Sequence, residues 1–415
     1  MPRRILNLIE MELSSIKIII VILIGVLIIS CHNEKQEKVT EFTLEKATKD
    51  LEFVQRHYQN MINSVPDSVL PRSVNINGET EFVNPADWTG GFYPGILWNL
   101  YENSKNEIFR TEALKYTSLL EGQKYNNHTH DLGFMLYCSY GNGYRITNDS
   151  TYKNILVIGA RTLSSRFNEK VGCIKSWDWN PEWQFAVIVD NMMNLEYLFW
   201  ATRITGDSTY YKQAVSHANG TLKNHFREDN SSFHVVNYDT INGSIIEKVT
   251  VQGYSDESTW ARGQAWGLYG YTVMYRETKE KKYLKQANKI AELIFEHENM
   301  PEDLIPYWDY NAPDIPNAPR DASAAAIIAS ALLELNQYVD DNLNVDYFSK
   351  ASTILRNLSN ETYRAKLKEN NNFVLKHSTG HLPRNKEIDV PLIYADYYYV
   401  EALMKFKNLK ESRLL

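Results

Sequence analysis

Four times along the chain an aromatic residue is followed four positions later by alanine at the opening of an amphipathic stretch. These are "FRTEA" (Phe109 to Ala113), "YYKQA" (Tyr210 to Ala214), "YLKQA" (Tyr283 to Ala287) and "YFSKA" (Tyr347 to Ala351). A weaker copy begins at Tyr152, and "DSTY" occurs at 149–152 and again at 207–210. Recurrence at intervals of roughly 40 to 75 residues points to one supersecondary unit used repeatedly. Each copy follows a more apolar segment: "GFYPGILWNLYEN", "DLGFMLYCSYGNG", "DNMMNLEYLFWATRITG", "ARGQAWGLYGYTVMYRE" and "DASAAAIIASALLEL". Those first members are apolar nearly all round, as buried helices are. The second members place apolar residues at helical spacing, as Tyr211, Val215, Ala218, Leu222 and Phe226 do. The unit is therefore a helical hairpin. Adding an amphipathic helix at the start (Leu44, Ala47, Leu51, Val54, Tyr58, Met61) and a final apolar one, "LIYADYYYVEALMKF", brings the count to about twelve helices. The expected fold is all-α, an (α/α)6 toroid of six hairpins with long loops at one mouth. An open α-solenoid would use the same hairpins.

The ends of the chain add an address. Arg3, Arg4 and Lys17 precede an unbroken apolar run from Ile18 to Ile29, too short to span a bilayer comfortably and laid out as a secretory signal. The run ends in "IISC", which resembles the lipobox of bacterial lipoproteins, with Cys31 as the lipidated residue. Residues 1–30 then read as the signal peptide, 31–41 as a polar tether and 42–410 as a single catalytic domain. A short N-terminal membrane anchor with Cys31 incidental is the alternative. Either way the protein is expected in the cell envelope, facing periplasm or cell surface, with the membrane touched only through this end.

The chain carries a net charge of −7 and no basic run, which argues against a nucleic-acid partner. After Cys31 only Cys138 and Cys173 remain; they are too few for a disulfide framework, and whether they pair is left open. No C-x-x-C, H-E-x-x-H, P-loop or G-x-S-x-G motif occurs, so no metal and no cofactor is expected. The 27 tyrosines and 9 tryptophans supply broad faces of the kind that stack on sugar rings.

Carboxylates provide the chemistry. Asp131, in "HTHDLGFMLY", and Asp190, in "VIVDNMMNLEYLFWA", stand with Asp321 at or near the first turn of an inner helix. Aspartate there is a favoured N-cap. In a toroid, however, the inner helices run in one sense, so their N-termini gather at one mouth and these aspartates meet across a cavity. Two carboxyl groups sharing a cavity divide acid and base work. The more apolar setting, between "FAVIV" and two methionines, makes Asp190 the protonated member; Asp131, beside His130, is the ionised one and a candidate cap. Arg262 and Trp266, four residues apart, share a helix face and suit an acidic sugar, the guanidinium gripping a carboxylate and the indole covering the ring. The alternative pairs Arg262 with Asp256 or Glu257 and leaves Trp266 in the core. Trp88 is a second stacking candidate. Long loops at 171–185, 231–259 and 306–323 carry Trp or His with carboxylates, the second with a β-hairpin turning at Asn242 and Gly243. The polar loop at 376–385 is either a meeting point for sulfate or carboxylate on the next sugar or a solvated turn.

Taken in order, "WTGGFYPGILW", "HDLGFMLY", "DNMMNLEYLFWA", "QGYSDESTWARGQAWGLYGY", "PRDASAAAIIASALLEL" and "EIDVPLIYADYYYVEAL" resemble the unsaturated glucuronyl hydrolase family of glycoside hydrolases, from about residue 40 to 408. The resemblance implies removal of a 4,5-unsaturated uronic acid from the non-reducing end of oligosaccharides left by polysaccharide lyases. In that family an aspartic acid protonates C4, water adds at C5, and the hemiketal rearranges and expels the neighbouring sugar, unlike ordinary glycosidase attack at the anomeric carbon. Asp190 matches the acid/base residue and Asp131 the second aspartate. His234, Gln252, Arg262 and Trp266 match positions that bind the unsaturated ring, with Trp88 near another stacking position. Val251 departs from the histidine common before "QGY" and bears on the substrate, whose next sugar is sulfated or unsulfated. An unsaturated rhamnogalacturonyl hydrolase on the same barrel and a non-catalytic glycan-binding lipoprotein are the competing readings.

Overall fold

The computed structural model describes residues 41–339 and 346–412; the expected signal, Cys31 and all but the last residue of the tether lie outside the described residues. Twelve α-helices occur among them: α1 (Leu44–Ile62), α2 (Phe92–Ser104), α3 (Glu107–Ser118), α4 (Asn142–Thr147), α5 (Ser150–Ser164), α6 (Leu195–Thr205), α7 (Ser208–Asn224), α8 (Ala261–Thr278), α9 (Lys281–Glu296), α10 (Ala322–Leu335), α11 (Tyr347–Leu358) and α12 (Ile393–Ser412). The even-numbered helices, with the segment Gly133–Gly141 that leads into α4 filling the place between α2 and α6, form an inner ring that closes when α12 lies against α2, and the odd-numbered helices pack outside it. Closure excludes the open solenoid. The first helix, α1, pairs with the last, α12, so the two ends of the domain form the sixth hairpin.

The repeated sequence pattern has a local cause. Inner helices α2, α4, α6 and α8 end in a left-handed residue, Lys105, Asn148, Gly206 or Lys279, with φ of 56°, 55°, 75° and 59°. A left-handed residue just past a helix satisfies its last carbonyls and turns the chain sharply. In the first three turns the next residue caps the outer helix: Asn106 accepts from the Ile108 N–H at 3.1 Å, Asp149 from Thr151 at 2.7 Å and Asp207 from Thr209 at 2.8 Å. That is why "DST" recurs. The aromatic residues Phe109, Tyr210, Tyr283 and Tyr347 follow and are buried between the helices of each pair, while Ala113, Ala214, Ala287 and Ala351 keep the backbones close. Burying each ring contributes on the order of 1.5–3 kcal/mol. Two inner helices have almost no exposed face: every residue of α10, and Ala261 to Met274 of α8, is buried.

One inner element departs from α geometry. Gly133–Gly141 is π-helical and runs directly into α4. At the start of α2, Gly91 lies so close to it that a Cβ there would stand 2.0 Å from the Phe134 carbonyl oxygen and 2.4 Å from that of Met135. Only glycine allows this contact. Three small sheets decorate the ring: β1 (Leu70–Val74) with β2 (Thr80–Val83), β3 (Phe167–Asn168) with β4 (Cys173–Ile174), and the antiparallel set β5 (Ala186–Ile188), β6 (Val235–Tyr238) and β7 (Ile245–Val249). The β6–β7 hairpin is the one expected about Asn242 and Gly243. Cys138 and Cys173 are both free thiols. Among the described residues no helix is long and apolar enough to cross a membrane.

Asp396 on α12 closes the ring chemically. Fully buried, it accepts the Tyr58 hydroxyl of α1 at 2.9 Å and the Val374 and Leu375 N–H groups at 2.8 Å each. Asp396→Ala leaves three buried donors unsatisfied, at roughly 1–3 kcal/mol each. We expect the variant to lose roughly 3 kcal/mol or more of stability. Denaturant unfolding checks this, and an unchanged midpoint would show that Asp396 does not hold the closure.

Candidate active site

At the mouth where the inner helices begin, a cavity of about 270 Å³ brings together five of the residues singled out from the sequence: Trp88, Asp131, Asp190, Gln252 and Arg262. The ring geometry does this. Asp131 precedes the π-helical stretch, Asp190 lies in the short 3-10 segment Val189–Asn194 that leads into α6, and Arg262 is in the first turn of α8. Trp88 packs on Phe92, Phe134 and Tyr394 with ring centroids at 5.8, 5.5 and 5.1 Å, which fixes its indole in the wall.

Asp190 and Asp131 are about equally exposed, at 13% and 14%, but Asp190 Oδ2 has no hydrogen-bond partner among the described residues. Burial in apolar surroundings pushes the Asp190 carboxyl up to about 7, against the pull of the Arg262 guanidinium and, more weakly, of the Trp266 indole; the charge of Asp131 adds to the rise. His234 Nε2 lies 3.8 Å from Asp190 Oδ2. The backbone N–H groups of Val251 and Gln252 donate to His234 Nδ1 at 3.1 and 3.2 Å, so that nitrogen must be the acceptor and the ring proton sits on Nε2, toward Asp190. Burial, with Arg262 nearby, drives the His234 pKa well below its ordinary value and keeps the ring neutral. His234 is thus part of the floor behind Asp190, wedged between Trp260 and Trp177 at 4.6 and 5.4 Å.

Asp131 is arranged differently. It accepts a short hydrogen bond from the Thr129 hydroxyl, and its Oδ1 lies 3.2 Å from His130 Nε2. It does not cap its helix, as the sequence had suggested. The Gly133 N–H, which a capping side chain would take, donates instead to Asn194 Oδ1 at 2.8 Å. Of the three aspartates considered as caps, only Asp321 acts as one, accepting from the Ser323 and Ala324 N–H groups at 3.0 and 3.3 Å.

Asp321 also settles the partner of Arg262. The guanidinium pairs with Asp321 at 2.7 Å and donates to the Thr379 and Gly380 carbonyls at 2.6 Å each. The pairing with Asp256 or Glu257 weighed from the sequence is not formed. Instead the Asp256 carbonyl and the Glu257 carboxylate meet Arg227. Three of the five donor hydrogens of Arg262 serve this frame, and its face lies over Trp260 at 4.7 Å. Trp266 is fully buried, packed on Phe134 at 5.2 Å, below the cavity lining rather than open to it. Its Nε1 has no hydrogen-bond partner among the described residues.

Several lining residues had no signal in the sequence beyond their loops. Trp177, Trp179 and Trp183, from 171–185, gather at the rim with centroids 5.3–6.1 Å apart. The Arg384 guanidinium rests over the half-exposed Trp179 at 4.9 Å and makes no side-chain hydrogen bond among the described residues. Arg72, from β1, grips Glu387 through two bonds of 2.6 and 3.0 Å and Asp87 at 2.7 Å, pinning the Trp88 loop to the 380s loop. Nothing around a lone arginine in a short strand marks it in advance. Among the described residues no group of three or more His, Cys, Asp or Glu side chains is placed to hold a metal ion.

Known proteins resemble this chain in sequence and fold. An unsaturated glucuronyl hydrolase of Formosa agariphila is 47% identical over 386 residues, covering 92% of this chain and 95% of the relative. A solved unsaturated glucuronyl hydrolase specific for heparin superposes with a TM-score of 0.86 at 49% identity, covering 88% of this chain and 98% of the other. A mutant of the enzyme from Streptococcus agalactiae, solved with dGlcA-GalNAc6S, gives a TM-score of 0.75 at 28% identity over 89% of this chain and 93% of that one. The model of Glycosyl Hydrolase Family 88 matches residues 53–408, and the chain belongs to that family.

Proposed function

We propose that Asp190 is the proton donor, and Asp131 the assisting aspartate, of an enol-ether hydration at this cavity. The protein is a glycoside hydrolase of the unsaturated glucuronyl hydrolase type, removing a 4,5-unsaturated uronic acid from the non-reducing end of lyase-made oligosaccharides. Its relatives favour this activity over an unsaturated rhamnogalacturonyl hydrolase or a non-catalytic binder. The observation that carries the residue assignment is that Asp190, its Oδ2 without a hydrogen-bond partner among the described residues, shares one cavity with Asp131 and Arg262; burial pushes its carboxyl up to about 7. Asp190 gives its proton to C4, and water adds to C5 as its proton returns to Asp190. The C5 hemiketal then opens and the neighbouring sugar leaves as an alcohol. His234 Nε2–H and Arg262 face the same carboxyl and steady its ionised form between those steps. Trp88 offers a stacking face, Gln252 hydrogen bonds for the ring hydroxyls, and Trp266 the support beneath.

Asp190→Asn removes the transferable proton, and we expect turnover of unsaturated disaccharides to fall roughly 10²–10⁴-fold, followed as persistence of the ultraviolet absorbance of the double bond. An active variant would remove Asp190 from the role. The acid must be protonated in the free enzyme, and it loses its proton as pH rises through about 7. A plot of kcat/KM should therefore fall about tenfold per pH unit above that point. A profile flat to pH 9 would contradict the assignment.

We further propose that the sugar beyond the bond being cut carries an anion. Arg384, held on Trp179 at the cavity and making no side-chain hydrogen bond among the described residues, has donors for such a group, and the relative solved with a sulfated disaccharide supports the reading. Arg384→Ala should lose roughly tenfold or more in kcat/KM on a sulfated unsaturated disaccharide and under about twofold on its unsulfated twin. Equal losses on both would remove the role. Finally, the "IISC" sequence supports a lipoprotein held in the envelope through Cys31. Lipid labelling of full-length protein in a bacterial host should mark the wild type and not Cys31→Ala. Membrane retention of an unlabelled Cys31→Ala protein would favour the short N-terminal anchor instead.

A further inference from the structure

The loop that carries Asp131 and the segment that carries Asp190 meet through a buried chain of amides that neither the sequence pattern nor the cavity lining reveals. His130, Asn191 and Asn194 are all fully buried. Asn191 Nδ2 donates to the Ile174 carbonyl at 2.8 Å. Asn194 Nδ2 donates to Asn191 Oδ1 at 3.0 Å, and Asn194 Oδ1 accepts the Gly133 N–H at 2.8 Å. Both ends of this chain are backbone groups whose roles cannot be exchanged: a carbonyl only accepts and an N–H only donates. Every amide orientation between them is therefore fixed. The second hydrogen of Asn194 Nδ2 is left pointing to His130 Nδ1, 3.4 Å away. A nitrogen facing a donor must be unprotonated, so the proton of this neutral ring belongs on Nε2, the nitrogen 3.2 Å from Asp131 Oδ1.

Asn194 approaches so closely that a Cβ on residue 133 would lie 2.4 Å from its Oδ1, which accounts for glycine at that place. The His130 backbone enters the same network, its N–H donating to the Ser176 carbonyl at 3.3 Å, while Ser176 Oγ accepts from the Ile188 N–H at 3.0 Å. The charged groups that bear on the ring are Asp131 and Arg166, and burial holds it neutral. The arrangement repeats the one behind Asp190, where two backbone N–H groups set the tautomer of His234. Each aspartate of the cavity thus has behind it a neutral histidine whose Nε2 is the ring nitrogen near the carboxylate, 3.2 Å from Asp131 and 3.8 Å from Asp190.

We propose that Asn194 is a positioning residue for the hydrolase reaction: it holds His130 as the Nε2–H tautomer beside Asp131 and clamps the Asp131 loop to the segment bearing Asp190. The proposal rests on the assignment of those two aspartates to the reaction. Asn194 is absent from the cavity lining, so it acts through them and not on the substrate. Asn194→Asp is the informative variant because it keeps an oxygen for the Gly133 N–H but replaces the donor facing His130 with an acceptor. The ring proton then moves to Nδ1, and Asp131 loses the N–H beside it.

Long-range nitrogen–proton spectra of ¹⁵N-histidine-labelled enzyme read the tautomer directly, with the His130 signal assigned by its loss in His130→Gln. We expect protonation at Nε2 alone in the wild type and at Nδ1 in Asn194→Asp, with kcat reduced roughly 10²-fold and KM changed less than about threefold. A wild-type His130 protonated at Nδ1, or a folded Asn194→Asp enzyme with undiminished kcat, would overturn the proposal. The wild-type spectrum decides the tautomer without a folded variant and without a substrate, so an error in the assigned reaction cannot be mistaken for an error in the tautomer.

Discussion

The buried ion pair between Arg262 and Asp321 joins the parts of the mouth that have to stay in register. It ties the first turn of α8 to the cap of α10, and through the Thr379 and Gly380 carbonyls it draws in the loop that brings His381 and Arg384 to the cavity. Removing one partner of such a pair costs roughly 3–5 kcal/mol, because the other charge is left without compensation. The same guanidinium sits close enough to Asp190 to lower its proton affinity. Burial works in the opposite direction and prevails, so the carboxyl rests near the pH at which it must both give and recover a proton. A structural ion pair therefore also sets the acidity of the group that does the chemistry.

The toroid explains why those groups meet at all. Inner helices of one sense place their N-termini at one mouth, and every tight turn that joins an inner to an outer helix lies at the opposite end. Those turns are short and left-handed, and a side chain caps the outer helix in the first three of them. The mouth receives the long connections instead: 171–185, the β6–β7 hairpin and the 376–387 loop. Rigid helices fix where Asp131, Asp190 and Arg262 begin, and the loops vary what surrounds them.

The helices were legible because burial leaves a period. Outer helices show it as spaced apolar residues and inner ones as its absence, and "DST" and the aromatic–alanine pairs mark the turns between. Asp190 was legible for a related reason, as a charge surrounded by "FAVIV" and methionine. The π-helical geometry of Gly133–Gly141 was not, because its apolar run reads as an ordinary buried helix and the close approach of Gly91 to two of its carbonyls joins segments some forty residues apart in the chain. The partner of Arg262 was missed for the same reason: Asp256 and Glu257 are near in sequence, while Asp321 is near only in the folded ring. Asp131 looked like a cap because aspartate before a helix usually is one, and Asn194, from another hairpin, had taken the N–H it would have capped. Arg72 and the placement of Arg384 on Trp179 depend wholly on loop packing, which leaves no periodic trace.

Asp190 as a carboxylic acid at neutral pH is the claim on which the rest of the chemistry stands. Its most direct measurement is infrared difference spectroscopy of the resting enzyme against Asp190→Asn across a pH titration, reading the carbonyl stretch of a protonated carboxyl. A band that belongs to Asp190, present at pH 6 and lost with a midpoint near 7, is the predicted result. Loss of that band near the ordinary carboxylate value, at about pH 4, would contradict the account.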